Sequence, residues 1–223
     1  MKKTGSAAPT GETLDDLRLR LAPKVAENAA FDGWSRRALD VTAQQTGVDG
    51  DVLALAFDGG AMAMIDAWFA SIDGAMRAAF TPEALAEMKI RARITALVEA
   101  RLALMAKHRE ALRRAQAVLA MPQNLVRAAK LGWRTADRLW RAAGDTATDY
   151  NHYTKRATLG GVYAATLLVF VNDESDGWAD TKAFLARRID GIMRFEKAKA
   201  RLAEHAEMRF DPARFLGRLR YRA

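Results

Sequence analysis

The spacing of apolar residues constrains this chain more than any other feature. They recur at steps of three and four, and two-residue alternation is nearly absent. A strand buries every second side chain, a helix every third or fourth. The pattern therefore predicts an all-α fold of about ten helices. Leu14, Leu17, Leu21 and Val25 form the first stripe, opened by Thr13 as N-cap with Asp16 three positions on. A second helix starts at Ser35 and carries Ala38, Leu39 and Thr42. After the turn Thr46-Gly47-Val48, a third runs from Asp49 to Phe57 and stops at Gly59-Gly60. Met62, Ile65, Trp68, Phe69, Ile72 and Met76 make the fourth. Thr81-Pro82 starts a fifth that continues to Lys107. Later helices are expected over 108–121, 124–143, 149–171 and 176–206, with breaks at Pro122, Gly144-Asp145 and Asn172-Asp173.

Composition removes several functions. The 223 residues include no cysteine, so disulfides, thiolate metal sites and thiol nucleophiles are excluded. The three histidines, His108, His152 and His205, are widely spaced. Phosphate loops, nucleophile elbows and His-Glu-x-x-His motifs are missing. The expectation is a non-enzyme without metal or cofactor. Asp145 and Asp149 are read as helix caps and Asp190 as the partner of a nearby arginine. The longest near-apolar run, 160–171, is too short to span a bilayer. The polar start lacks the apolar core of a signal peptide, and residues 1–12 are expected to be disordered.

The formal charge is +8, but it is unevenly placed. Residues 1–80 hold 8 Lys+Arg and 11 Asp+Glu; residues 81–223 hold 27 and 16. The pattern Phe31-Asp32-Gly33-Trp34-Ser35, then Gly47-Val48, then Leu53, Ala56 and Phe57, resembles the helix-turn-helix head of TetR-type proteins. The resemblance implies a trihelical head over 13–60 and a larger helical ligand and dimerisation domain over 61–206. Yet Gly47 to Met76 contains no Lys or Arg and five aspartates. Duplex binding needs cations against phosphates. No nucleic-acid partner is therefore expected, and a ligand-responsive TetR-type repressor is the second reading.

A more specific resemblance follows. Met121-Pro122-Gln123-Asn124-Leu125, Leu131-Gly132-Trp133-Arg134 and Leu139-Trp140 occur in order. Then come Ala143-Gly144-Asp145, the run Thr148 to Arg156 (TDYNHYTKR), Asp180-Thr181, Phe184-Leu185 and Arg187 to Asp190. Together they resemble the coenzyme Q (ubiquinone) biosynthesis accessory family, the ninth gene product of that pathway in yeast naming. The resemblance implies a TetR-like fold, homodimers, and binding of an isoprenoid lipid or ubiquinone precursor. It also implies presentation of that precursor to the di-iron demethoxyubiquinone hydroxylase. Carried over by position, the hydroxylase contact is Leu139, Asp149, His152, Tyr153 and Arg156. His152 stands where the family usually has Trp, and Tyr150 where it has Phe. Losing the Trp removes the kind of aromatic anchor that often dominates an interface. Trp133 is read as core.

Two stretches add to this from their own residues. Gly160-Gly161 precedes Tyr163, Leu167 and Phe170, and Phe184, Ile189 and Met193 follow on the next helix. These six are the candidate lipid-binding residues, lining a long apolar cavity between the last two helices. Residues 207–223 form a candidate membrane-binding helix. Its apolar side is Phe210, Phe215, Leu216 and Leu219, and Arg214, Arg218 and Arg222 lie on neighbouring turns. A short, aromatic, basic, amphipathic segment suits an anionic membrane surface. The expected location is cytoplasmic, peripheral to a bacterial inner membrane, or the matrix side of the mitochondrial one.

Overall fold

A computed structural model describes residues 11–146 and 150–207. It is all helical among the described residues. Helix α1 spans Leu14–Asp32, α2 Arg36–Thr46, α3 Gly50–Ala56 and α4 Gly60–Ala78. They are followed by α5 (Pro82–Ala86), α6 (Ile90–Met105), α7 (Arg109–Leu119), α8 (Leu125–Ala142), α9 (Tyr150–Phe170) and α10 (Ala179–Glu207).

Local chemistry sets the boundaries. Thr13 and Asp16 close a capping box on α1, each side chain meeting the other's backbone N–H. Asp49 accepts from the Asp51 and Val52 N–H groups at the start of α3, and Thr81 caps α5 with Pro82 at its first position. The expected single helix from Thr81 to Lys107 is broken, because Lys89 is extended. The Arg93 guanidinium fills the break. It donates to the carbonyls of Met88 at 2.8 Å and Ala86 at 2.9 Å, and to that of Ala143 at 2.9 Å. One side chain thus caps α5 and ties it to the end of α8.

One apolar core runs through the head and the larger body. Helix α1 lies against α2, α3, α4 and α7. The indole N–H of Trp34 donates to the carbonyl of Ala111 at 3.0 Å, and its ring lies 5.4 Å from Trp68. Helix α9 sits between α8 and α10 and also touches α6. At the α9–α10 turn, Asp173 is buried and accepts from the backbone N–H and hydroxyl of both Ser175 and Thr181. Burial alone would raise its pKa, but these hydrogen bonds hold it far below the usual carboxylate range. No single helix among the described residues is long and apolar enough to cross a membrane.

Candidate functional site

Helices α8 and α9 bring small residues to one seam: Ala128 and Gly132 on α8, Gly160 and Ala164 on α9. A Cβ on Gly160 would sit 3.8 Å from the Gly132 carbonyl oxygen. Two helices without side-chain bulk at their contact leave room beside it. The result is an apolar cleft of about 290 Å³ between α7, α8 and α9, with Phe69 of α4 at its back. Its closed end is Phe69, Leu131, Thr135 and Tyr163, all buried. Its mouth is at Ala120 and Leu168, which are exposed.

A charged cluster stands behind the closed end. Asp73 of α4 and Arg101 of α6 are fully buried and paired, and Arg138 of α8 pairs with the second Asp73 oxygen. Arg101 Nε donates to the Tyr163 hydroxyl at 3.0 Å. Its guanidinium carbon lies 5.1 Å from the centre of the Tyr163 ring and 6.0 Å from that of Phe69. Both rings line the cleft.

The α8–α9 corner is locked by ions. Gly144 ends α8 at φ +89°, a backbone conformation that side chains rarely adopt, and an added Cβ would meet Arg93 at 3.1 Å. Asp145 follows. Its carboxylate accepts from Lys155 at 2.8 Å and Arg156 at 3.1 Å, which makes it an ion-pair partner; residues 147–149, which it was expected to cap, lie outside the described residues. Arg156 also donates to Asp137 at 2.6 Å and to the His152 carbonyl at 3.1 Å. Burial works to raise both carboxyl pKa values, and these cations outweigh it and hold them low. The Trp140 indole N–H closes the corner on the Lys155 carbonyl at 3.0 Å.

Outside the lock lies an aromatic patch. Tyr153 is 61% exposed, and Trp133 lies 6.0 Å from it, ring to ring. His152 is 5.2 Å from Tyr153 and 6.5 Å from Trp133. Trp133 was expected in the core; it is 37% exposed on this patch instead.

The residues picked from sequence therefore divide. Tyr163 and Leu167 line the cleft. Phe170 and Ile189 are buried in the core, Phe170 against Trp178, and neither they nor Phe184 line it. The cleft opens on the α7–α8 side of α9 and no α10 residue lines it; Leu185 and Ile189 of α10 are buried in the core. The Met193 side chain lies outside the described residues. Of the partner set, Tyr153 is exposed, His152 is half-buried, Leu139 and Arg156 are buried, and Asp149 lies outside the described residues. So do all seven membrane-binding candidates from Phe210 to Arg222. Asp190 pairs with Arg91 at 2.6 Å. Sequence reasoning missed Thr135, Gly132, Phe69 and the Asp73–Arg101 pair. The last was visible as two charges inside apolar stripes.

The fold is TetR-like. A solved structure of a TetR transcriptional regulator from Nitrosomonas europaea superposes with a TM-score of 0.61 at 24% identity, over 78% of this chain and 96% of that one. Within that fold the COQ9 family model matches residues 125–196, which hold α8, α9 and the first part of α10. The ubiquinone biosynthesis protein COQ9, mitochondrial, of Rattus norvegicus is 41% identical over 96 residues. That stretch is 43% of this chain and 31% of the rat protein, about a third of its length. The protein of the same name from Homo sapiens is 38% identical over 96 residues, 30% of its length. That of Drosophila melanogaster is 24% identical over 187 residues, 82% of this chain and 57% of its own. The resemblance read from Met121 to Asp190 is borne out.

Proposed function

We propose that this protein is a non-enzymatic accessory factor of ubiquinone biosynthesis. It holds the apolar part of an isoprenoid quinone precursor in the α7–α8–α9 cleft and presents it to the demethoxyubiquinone hydroxylase. The observation that carries this reading is an apolar cleft lined largely by α8 and α9, within the residues that the COQ9 family model matches. At about 290 Å³ it sits at the small end of ligand pockets, which run to roughly 1,000 Å³. It takes a ring or the first prenyl units, and a longer chain leaves through the mouth past Leu168, itself 58% exposed.

The hydroxylase contact is the Trp133–His152–Tyr153 patch. Exposed aromatic rings are frequent anchors of interfaces, and Trp133 supplies an indole beside the position where His152 replaces one. Arg156 and Asp145 hold that patch from beneath and do not touch the partner. The protein works as a homodimer at an anionic membrane surface, on the bacterial cytoplasmic or mitochondrial matrix side. The basic residues 207–223 bring it there.

A repressor role is not favoured. Helix α3 carries no cation and has Asp49 as its cap and Asp51 in its first turn. Its exposed apolar side chains are Val52 and Leu55. The α2 arginines are already paired, Arg36 with Asp40 at 2.9 Å and Arg37 with Asp32 at 2.9 Å.

Deleting the gene in its host tests the biosynthetic role. Demethoxyubiquinone should accumulate and ubiquinone should fall, and the wild-type gene should restore both. Unchanged quinone pools in the deletion strain would refute it.

A further inference from the structure

Thr135 sits at the closed end of the cleft, 1% exposed. A helical threonine commonly returns its hydroxyl to the carbonyl four residues back. Thr42, Thr46, Thr95, Thr158 and Thr166 all do so. Thr135 does not. Its hydroxyl makes no hydrogen bond among the described residues and is not sealed in the core, so it opens onto the cleft that Thr135 lines, where a polar group without a partner is costly.

A second observation points the same way. Arg101 Nη2, also fully buried, makes no hydrogen bond among the described residues. The guanidinium stands behind Tyr163 and Phe69, the two rings of the closed end. Two cations, Arg101 and Arg138, share the single carboxylate of Asp73 there. A buried donor without an acceptor therefore stands behind the closed end. A carboxylate would lose its hydration on entering so apolar a cleft, whereas a neutral oxygen loses far less.

We infer that the cleft binds its ligand oxygen-first: the neutral carbonyl oxygen of an apolar molecule accepts a hydrogen bond from the Thr135 hydroxyl, and the hydrocarbon part runs past Leu131 and Leu167 to the mouth at Leu168. This rests on the reading that the cleft holds an apolar ligand, and adds its orientation and the chemistry of its buried end. Tyr163 is not the donor, because its hydroxyl accepts from Arg101 and lies 3.9 Å from Met105 Sδ.

Calorimetric titration with geranylacetone and with the hydrocarbon of the same skeleton lacking the ketone tests the orientation. Wild-type protein should bind the ketone more tightly. Thr135→Val should weaken ketone binding about five- to tenfold, the worth of one hydrogen bond, and leave the hydrocarbon unchanged. Thr135→Ser should restore the preference. Thr135→Ala gives the same reading should valine not fit. Equal affinity of the wild-type protein for both ligands, or a ketone preference that survives in Thr135→Val, would overturn the orientation alone. No binding of either ligand would remove the cleft reading along with it.

Discussion

Asp73→Ala should lower the thermal unfolding midpoint by about 10 °C. Asp73 and Arg101 are both fully buried, and both Asp73 oxygens are engaged by arginines. Removing the carboxylate leaves the Arg101 charge in the core without its partner. Breaking a buried pair in this way costs about 3–5 kcal/mol, because desolvation of the remaining ion is no longer offset. For a domain of this size each kcal/mol moves the midpoint by roughly 2–4 °C. The pair is not itself a large source of stability, since an apolar pair of similar volume satisfies the same space. The double variant Asp73→Leu, Arg101→Met should therefore lose less than Asp73→Ala alone. A loss below about 1 kcal/mol in the single variant would mean that the pair is not desolvated as described. Differential scanning calorimetry measures both.

Arg156→Ala should behave as a folding variant, and Tyr153→Ala as a surface one. Arg156 was a partner-contact candidate by sequence position, yet it is 1% exposed and spans Asp137 and Asp145. Its loss leaves Asp145 with Lys155 alone and Asp137 with Arg141 alone and loosens the α8–α9 corner, at about 1–3 kcal/mol. Hydroxylase binding should fall with it, because Tyr153 and His152 ride on the same first turns of α9. Tyr153→Ala should change stability by no more than about 0.5 kcal/mol, as exposed side chains usually do. It should nevertheless weaken hydroxylase binding by tenfold or more, on the scale of an interface anchor of about 1.4–2 kcal/mol. Thermal melts beside a titration with the purified hydroxylase separate the two. A stable Arg156→Ala that loses only partner binding would make Arg156 a contact residue after all.

How much of this was legible in sequence follows from what periodicity reports. The three- and four-residue spacing gives the helices and their buried faces. The Thr13 cap is short-range chemistry and falls where it was expected, and the helix starts expected at Asp49 and Thr81 are each made by a capping side chain. The break between α5 and α6 was hidden, since it depends on Arg93 reaching the Ala143 carbonyl fifty residues away. Trp133 was misplaced for a related reason. Its spacing from Trp140 fits one helix face, but only Trp140 is covered, by the turn of chain that carries Lys155. The cleft was set on the wrong side of α9. Large apolar residues drew attention to α10, whereas space is made where side chains are missing, at Gly132 and Gly160. Asp73 and Arg101 were readable as charges at buried helical positions, between Phe69 and Met76 and between Val98 and Met105. A charge there is a demand for a partner, and the sequence does not say which partner answers.

The apolar lipid content of organic extracts from purified protein, wild type against Gly132→Phe, tests the central claim most directly. A Cβ at Gly132 meets no atom within 4 Å, so the backbone there has space for a side chain, and Gly132 lines the cleft whose room a phenyl ring would take up. The wild-type extract should contain an isoprenoid lipid, and the variant, folded with an unchanged melting curve, should have lost most of it. A wild-type extract free of isoprenoid lipid, or equal amounts in the two proteins, would contradict the account.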